Sequence, residues 1–168
     1  MSEIIQSPSQ TIGPLYGFAL MFEGSHASVP PDSPGAVRIE GLILDGDGVP
    51  INFPEGFIEI WEGDQWVRAR TDDDGIYRVV LRKPEPQPTP DGTVLAPYLN
   101  VTVFARGLLK QALTRLYFPD EEDANAADPV LELVPEEDRH LLVAQPDGDV
   151  LRFDIRLQGE NETPFFAF

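Results

Sequence analysis

The sequence predicts an all-β sandwich with an extended N-terminal arm and one or two short helices in its loops. Short runs of alternating apolar and polar residues recur along the chain, and Asp-Gly turns separate several of them. Hydrophobic residues make up 42% of the 168 residues, and Gly and Pro contribute 14 and 17. This composition is typical of a folded chain that is rich in turns.

The alternation defines the individual strands. Strands are predicted at 37–44, 57–61, 66–71, 76–81, 99–105, 113–118 and 153–158. The run 99–105 is rich in β-branched residues, so we expect it to be a central strand. Asp-Gly turns at 45–48 and 72–75 separate neighbouring strands. Strands at this spacing indicate a sandwich or a barrel.

The remaining segments are predicted to be loops or short helices. Pro8, Gly13 and Pro14 interrupt 7–16, which we expect to be an extended arm and not a helix. Loops are expected at 25–35 and at 83–92, where proline occupies every second position of 84–90. Acidic residues in its first turn favour a helix at 119–127, and 135–139 is a candidate for a second short turn.

We expect one domain over 1–168, made of an arm and loop (1–36), the sandwich (37–160) and a tail (161–168). Three of the last four residues of the tail are phenylalanines, namely Phe165, Phe166 and Phe168. Apolar side chains of this size are rarely left in water. Either the core of the chain or a partner is expected to cover them.

Charge and cysteine content limit the function. Twelve basic residues against 29 acidic ones give a net charge of −17, so nucleic acids and anionic membranes are poor partners. The absence of cysteine excludes disulfides and thiolate metal sites and fits a reducing compartment. The sequence shows neither a secretory signal nor an apolar run of membrane-spanning length, so the expected location is the cytoplasm.

Few residues carry an independent chemical signal. The two Asp-Gly turns lack the ligand spacing of a calcium loop, and His26 and His140 form no metal-binding pair. Motifs for serine nucleophiles, phosphate loops and dinucleotide binding are absent. Arg106 follows the strand 99–105 and could hold a carboxylate through two parallel hydrogen bonds. The alternative is a salt bridge to one of the 29 acidic residues.

Specific strings show a family resemblance. The segments 7–14, 96–107, 114–121 and 152–166 resemble the α subunits of protocatechuate 3,4-dioxygenases, and 41–82 is similar to intradiol ring-cleavage dioxygenases in general. The resemblance implies a transthyretin-like β-sandwich. It also implies an enzyme that uses non-haem Fe(III) and O₂ to cleave protocatechuate to 3-carboxy-cis,cis-muconate, in the β-ketoadipate route of aromatic degradation.

In that family the catalytic β subunit holds the iron with two Tyr and two His, and the α subunit pairs with it in a larger multimer. A catalytic chain carries R-P-x-H-x-H where this one has Ala-Pro-Tyr-Leu-Asn-Val, so Leu99 and Val101 occupy vestigial ligand positions and no metal is expected on this chain. The resemblance further implies that Thr11, Gly13, Pro14 and Arg106 help to form the substrate pocket beside the iron of the β subunit.

Two alternatives stay open at this point. The strands alone also fit a free-standing β-sandwich binding module without enzymatic activity. An independent iron enzyme with a rearranged ligand set would have to use the four Tyr and two His of the chain. Stoichiometric iron in the isolated chain would identify the second alternative, and a stable monomer without a β subunit would identify the first.

Overall fold

Two β-sheets pack face to face in the computed structural model, which describes residues 8–11 and 13–167. The strands are β1 (Ala36–Leu44), β2 (Gly56–Glu62), β3 (Gln65–Arg70), β4 (Ile76–Arg82), β5 (Gln87–Pro88), β6 (Val94–Leu95), β7 (Tyr98–Ala105), β8 (Ala112–Tyr117), β9 (Gln145–Asp147), β10 (Val150–Arg152) and β11 (Ile155–Arg156). The helices are α1 (Pro14–Ala19), α2 (Glu122–Ala126) and two 3₁₀ helices, Leu131–Leu133 and Glu136–Leu142.

One sheet is organised around β1. This strand pairs in antiparallel fashion with β4 on one side and in parallel with β10 and β11 on the other, while β9 pairs with β10. The parallel register places Ile39 opposite Leu151 and Ile43 opposite Ile155. The C-terminal part of the chain therefore completes a sheet that begins with the first long strand.

The second sheet has four antiparallel strands in the order β3-β2-β7-β8. Its register places Ile60 opposite Val101 and Leu99 opposite Leu116. The central position predicted for 99–105 is confirmed, because β7 has a hydrogen-bonded neighbour on both sides. Strands also occur at the other positions predicted by the alternation, and the all-β sandwich is confirmed.

The main core lies between the two sheets. Its fully buried members come from both sheets and include Ile39, Ile43, Ile58, Ile60, Tyr77, Val79, Leu99, Val101 and Leu116. Full burial of an aliphatic side chain of this size contributes about 1.5–3 kcal/mol. Tyr77 is the polar exception, and its hydroxyl donates a hydrogen bond to the carbonyl oxygen of Phe153. Burial raises the pKa of the Tyr77 hydroxyl well above its usual value, so it stays protonated.

A smaller apolar cluster covers the outer face of the four-stranded sheet. Tyr98 and Tyr117 are paired across β7 and β8 and point away from the main core, since they alternate with Leu99 and Leu116. The segment with the two 3₁₀ helices supplies the covering side chains Leu131, Val134 and Leu142.

Three predicted segments differ from the structure. The arm predicted to be extended over 7–16 ends in α1, because Gly13 is its N-cap and Pro14 is preformed for the first helical position. The loop predicted at 83–92 contains β5, which pairs only with β6 and belongs to neither main sheet. The last strand predicted at 153–158 is reduced to the two residues of β11.

The predicted helices have shorter or shifted bounds. Within 119–127 the helix covers α2 only, and the candidate turn at 135–139 is the start of the 3₁₀ helix Glu136–Leu142.

In the tail, Phe165 packs against the main core and Phe166 against the smaller cluster. Both are therefore partly covered by the chain itself, and Phe168 lies outside the described residues.

Candidate functional site

The candidate site lies at the end of β7, where Arg106 follows the last strand residue. The backbone N–H of Arg106 donates to the carbonyl oxygen of Glu55 at 2.9 Å. Its Nη1 donates to Oε1 of the same residue at 3.0 Å. Gly107 continues the turn with a φ of 93°, a conformation that favours glycine. The arginine side chain remains 70% exposed, and that of Glu55 is 31% exposed.

The N-terminal segment is attached to this turn. The Thr11 hydroxyl oxygen accepts a hydrogen bond of 2.8 Å from the backbone N–H of Gly107. Two residues later, the carbonyl oxygen of Gly13 accepts the N–H of Tyr16 and starts α1. The structure thus brings Thr11, Gly13 and Arg106 to one end of the four-stranded sheet.

Helix α1 is seated on the loop before β2. Gly17 is buried there, and a Cβ atom at this position would lie 2.6 Å from the carbonyl oxygen of Pro54. The ring of Phe18 meets the ring of Phe53 edge to face, with centroids 4.8 Å apart. The same loop carries Glu55, so α1 and Arg106 are both attached to residues 53–55.

A small cleft of about 150 Å³ adjoins the site. Its lining residues are Gln10, Phe104, Ala105, Leu108, Leu109, Lys110 and Gln111. Gln10 precedes Thr11, and Ala105 precedes Arg106, so the cleft continues the surface formed by the N-terminal segment and the β7 end. Its walls are mainly apolar, with a lysine at one side.

The exposed side chain with the clearest chemistry at this end of the sheet is the Arg106 guanidinium. A guanidinium carries five N–H donors in a planar fork, and a carboxylate matches one edge of that fork. Arg106 uses one side-chain donor for Glu55. Arg106 therefore forms the salt bridge that was one of the two alternatives, to Glu55. Its guanidinium nevertheless stays exposed, with further donors available.

The two positions that the family resemblance predicts to be vestigial ligand positions lie elsewhere. Leu99 and Val101 are 0% and 1% exposed and belong to the main core between the two sheets. Apolar side chains in an apolar core do not fit a ferric ion, which takes nitrogen and oxygen ligands. Among residues 8–11 and 13–167, no group of three or more His, Cys, Asp and Glu residues is arranged to hold a metal ion.

The neighbouring positions of β7 face a polar cluster that we did not predict. Arg115 is 8% exposed, with its guanidinium carbon 3.8 Å from the ring centre of Tyr98 and Nη1 3.5 Å from the Tyr117 hydroxyl. Tyr117 in turn donates to Asp128 at 3.1 Å, and Asn100 donates to a carboxylate oxygen of Glu62 at 2.7 Å.

Burial sets the protonation of this cluster. It raises the pKa of both Tyr98 and Tyr117, although the nearby Arg115 cation acts in the opposite direction. Both tyrosines are therefore neutral hydroxyls near pH 7. The alternation of residues along 98–101 is the sequence signal for the cluster, since Tyr98 and Asn100 share one face of the sheet with their cross-strand partners Tyr117 and Arg115.

Comparison with solved structures identifies the fold. The chain superimposes on the dioxygenase domain of a dioxygenase–carbohydrate-binding fusion from Streptomyces sp. SirexAA-E with a TM-score of 0.58 and 17% identity, covering 91% of this chain and 99% of that one. Hydroxyquinol 1,2-dioxygenase from Pseudomonas putida DLL-E4 also gives a TM-score of 0.58, at 16% identity, over 92% of this chain and 68% of that one. The fold is that of the intradiol ring-cleaving dioxygenases.

Sequence comparison identifies the family. The protocatechuate 3,4-dioxygenase alpha chain of Burkholderia cepacia is 36% identical, covering 99% of both chains, and that of Pseudomonas putida is 34% identical over 97% of this chain and 96% of the other. The chain belongs to the family of protocatechuate 3,4-dioxygenase alpha chains. The alignment with the first relative spans 202 positions against 168 residues here, so that relative has additional segments. No family model matches the chain.

Membrane insertion through a helix has no structural basis in the part of the chain that is described. None of the helices there combines the length and the apolar character needed to cross a bilayer.

Proposed function

We propose that this chain is the iron-free α subunit of a protocatechuate 3,4-dioxygenase and completes the substrate pocket beside the Fe(III) held by a β subunit. In this proposal the complex cleaves protocatechuate with O₂ to 3-carboxy-cis,cis-muconate, within the β-ketoadipate pathway in the cytoplasm. The α and β subunits form pairs in a larger multimer. The family membership and the arrangement around Arg106 support it.

The observation that carries the proposal is the attachment of Thr11 to the Arg106–Gly107 turn. Residues 11 and 107 are far apart in sequence, and the hydrogen bond between them fixes the N-terminal segment beside an exposed guanidinium. Protocatechuate is an anion at neutral pH because of its carboxylate. An exposed arginine on a chain of net charge −17 is a local attraction for such a substrate.

Each predicted pocket residue has its own part in the proposal. Arg106 supplies the positive charge that binds and orients the substrate. Thr11 holds the turn through its hydroxyl oxygen, which is a different use of that group from direct contact with substrate. Gly13 and Pro14, at the start of α1, are assigned to the lining of the pocket. Iron chemistry belongs to the β subunit, and Leu99 and Val101 take no part in it.

An exposed apolar surface near the site supports docking of the β subunit. Phe22 stacks on Trp66 with ring centroids 6.2 Å apart, and Trp66 is paired with Trp61 across β2 and β3. Leu15, Tyr16 and Phe18 are also exposed on the segment that precedes Phe22. We call this exposed surface the N-terminal apolar surface; it consists of Leu15, Tyr16, Phe18, Phe22, Trp61 and Trp66, each 39–78% exposed. Exposed large apolar side chains that exceed the usual scatter on a protein surface are typical of protein interfaces.

Substitution of Arg106 tests the role in the pocket. Because a hydrogen bond to a charged group contributes about 1.5–3 kcal/mol, Arg106→Ala should lower kcat/KM for protocatechuate in the assembled complex by about tenfold or more. Arg38→Ala is the matched control, since Arg38 is a half-exposed arginine on the other sheet. Unchanged kinetics in Arg106→Ala would remove this residue from the substrate pocket.

Purification of the native complex through a tag on this chain tests the subunit assignment. The expected result is a one-to-one second chain that carries ferric iron, together with protocatechuate-dependent oxygen uptake. An iron-free monomer without activity would leave the alternative, a free-standing β-sandwich binding module. Iron bound stoichiometrically to the isolated chain would instead favour an independent enzyme.

A further inference from the structure

Glu55 is the residue that holds the exposed arginine of the site. Its backbone oxygen accepts the N–H of Arg106, and its Oε1 accepts Nη1 of the same residue. Glu55 is itself fixed, because its N–H donates to the Asn52 carbonyl at 2.9 Å and the N–H of Phe53 donates to the Asp72 carbonyl at 3.1 Å. The Glu55 carboxylate therefore belongs to a loop whose backbone is held by hydrogen bonds.

The contact uses only one corner of the guanidinium. Within the described residues, no hydrogen bond or ion pair engages Nε or Nη2 of Arg106. These two atoms form the side edge of the fork, which binds a carboxylate through two parallel hydrogen bonds. A long side chain that is 70% exposed would otherwise sample many rotamers, and fixing one corner removes much of that freedom.

We propose that Glu55 is a positioning residue: by holding Nη1 of Arg106, it presents the Nε–Nη2 edge to the carboxylate of an aromatic acid. This deepens the proposed function and rests on it, because it assigns the way in which the pocket arginine is set. Glu55 does not touch the substrate itself. It acts through Arg106.

The exposed ion pair contributes little to folding, which makes the kinetic effect separable. Ion pairs on the surface contribute about 0–1 kcal/mol, so a change at Glu55 should leave assembly intact. Loss of the anchor should weaken ground-state binding, whereas the chemical step at the β subunit continues. The KM for the aromatic acid is therefore the sensitive quantity, and kcat is the insensitive one.

Three substitutions separate positioning from charge. Glu55→Ala removes the acceptor, and KM for protocatechuate should rise about 2- to 10-fold, which is the effect of ordering one long side chain. In Glu55→Gln the amide oxygen still accepts Nη1, so KM should stay within about twofold of the wild type. Asp149→Asn removes the partner of Arg38 from another exposed ion pair, at 2.6 Å, and is the matched control with no expected effect.

A double-mutant cycle tests the route of action. If Glu55 acts through Arg106, the double variant Glu55→Ala/Arg106→Ala should have the same kcat/KM as Arg106→Ala alone. All kinetics use the purified complex, with the melting temperature and chain stoichiometry measured for each variant. A normal KM in Glu55→Ala, or a further loss in the double variant, would overturn the inference. A normal kcat/KM in Arg106→Ala would instead refute the proposed pocket, so the two failures are distinguishable.

Discussion

Gly13 is the residue at which pocket shape can be tested without disturbing the fold. Its φ of −99° is accessible to any residue, and an added Cβ would have no described atom within 4 Å. Gly13→Ala should therefore leave the free energy of unfolding within about 0.5 kcal/mol of the wild type. If Gly13 lines the proposed substrate pocket, the added methyl group should lower kcat/KM of the complex by about tenfold. Unchanged kinetics would place Gly13 outside the wall.

Gly17, in the same segment, differs from Gly13 because it has no space for a Cβ atom. Alanine should gain about 1 kcal/mol from helix propensity, but its Cβ would lie 2.6 Å from the Pro54 carbonyl oxygen, and overpacking costs about 1–3 kcal/mol. The loop cannot easily yield, since its neighbours Phe53 and Glu55 are hydrogen-bonded. Gly17→Ala should lower the urea midpoint with an unchanged m-value. An unchanged midpoint would mean that α1 shifts freely.

Single residues also show where prediction from sequence ends. Arg106 could be identified because it follows a clear strand, and Thr11 because it lies in a string that resembles a family. Glu55 carries no such signal, since its contact with Arg106 joins positions 51 residues apart. Leu99 and Val101 could be assigned to the buried face of β7 by alternation alone. That the opposite face of the strand holds a buried polar cluster depends on the covering 3₁₀ helices.

The turn between β3 and β4 contains a carboxylate, that of Asp72, through which the stability of the protein depends on pH. Asp72 accepts Nη1 of Arg78 at 2.5 Å and the backbone N–H groups of Asp74 and Ile76. The Arg78 contact is the main cause that holds the pKa of Asp72 below its usual value. A lowered pKa in the folded state gives stability that is present above about pH 4 and is lost as the pH falls further.

Asp72→Asn should therefore have a lower free energy of unfolding than the wild type at pH 7. This gap in the free energy of unfolding should close as the pH falls below about 4. Chemical denaturation at pH values from about 2.5 to about 7.5 measures the free energy of unfolding of both proteins. Asp73→Asn is the control at the neighbouring exposed position, with no gap expected. A gap for Asp72→Asn that is constant down to pH 2.5 would contradict the account.

At the scale of elements, the long strands were predictable because every second side chain of each packs into the main core. Alternation over 37–44 and 99–105 reflects that burial directly. Helix α1 was missed because Pro and Gly usually interrupt helices, whereas here they form its first residue and its cap. Strand β5 depends on pairing with β6, which local sequence does not encode.

The assembly as a whole can be tested through the N-terminal apolar surface. Leu15 is 78% exposed and lies on this surface, whereas Leu133 is 80% exposed in a 3₁₀ helix elsewhere. Leu15→Ser should reduce co-purification of the β subunit, because it removes apolar area from the interface, and Leu133→Ser should not. Equal yields for both variants and the wild type would place the β subunit on a different surface.

The parallel pairing of β1 with β10 and β11 has a consequence for the order in which the protein is synthesised. Strand β1 can pair with β4 once Arg82 has been made, but its other edge stays open until Val150 and later residues exist. At about 5–20 residues per second, translation of this interval takes about 3–14 seconds. A nascent chain therefore exposes an unpaired strand edge throughout this time. Slower translation between these strands would prolong the period in which chaperones, or a second nascent chain, can reach β1.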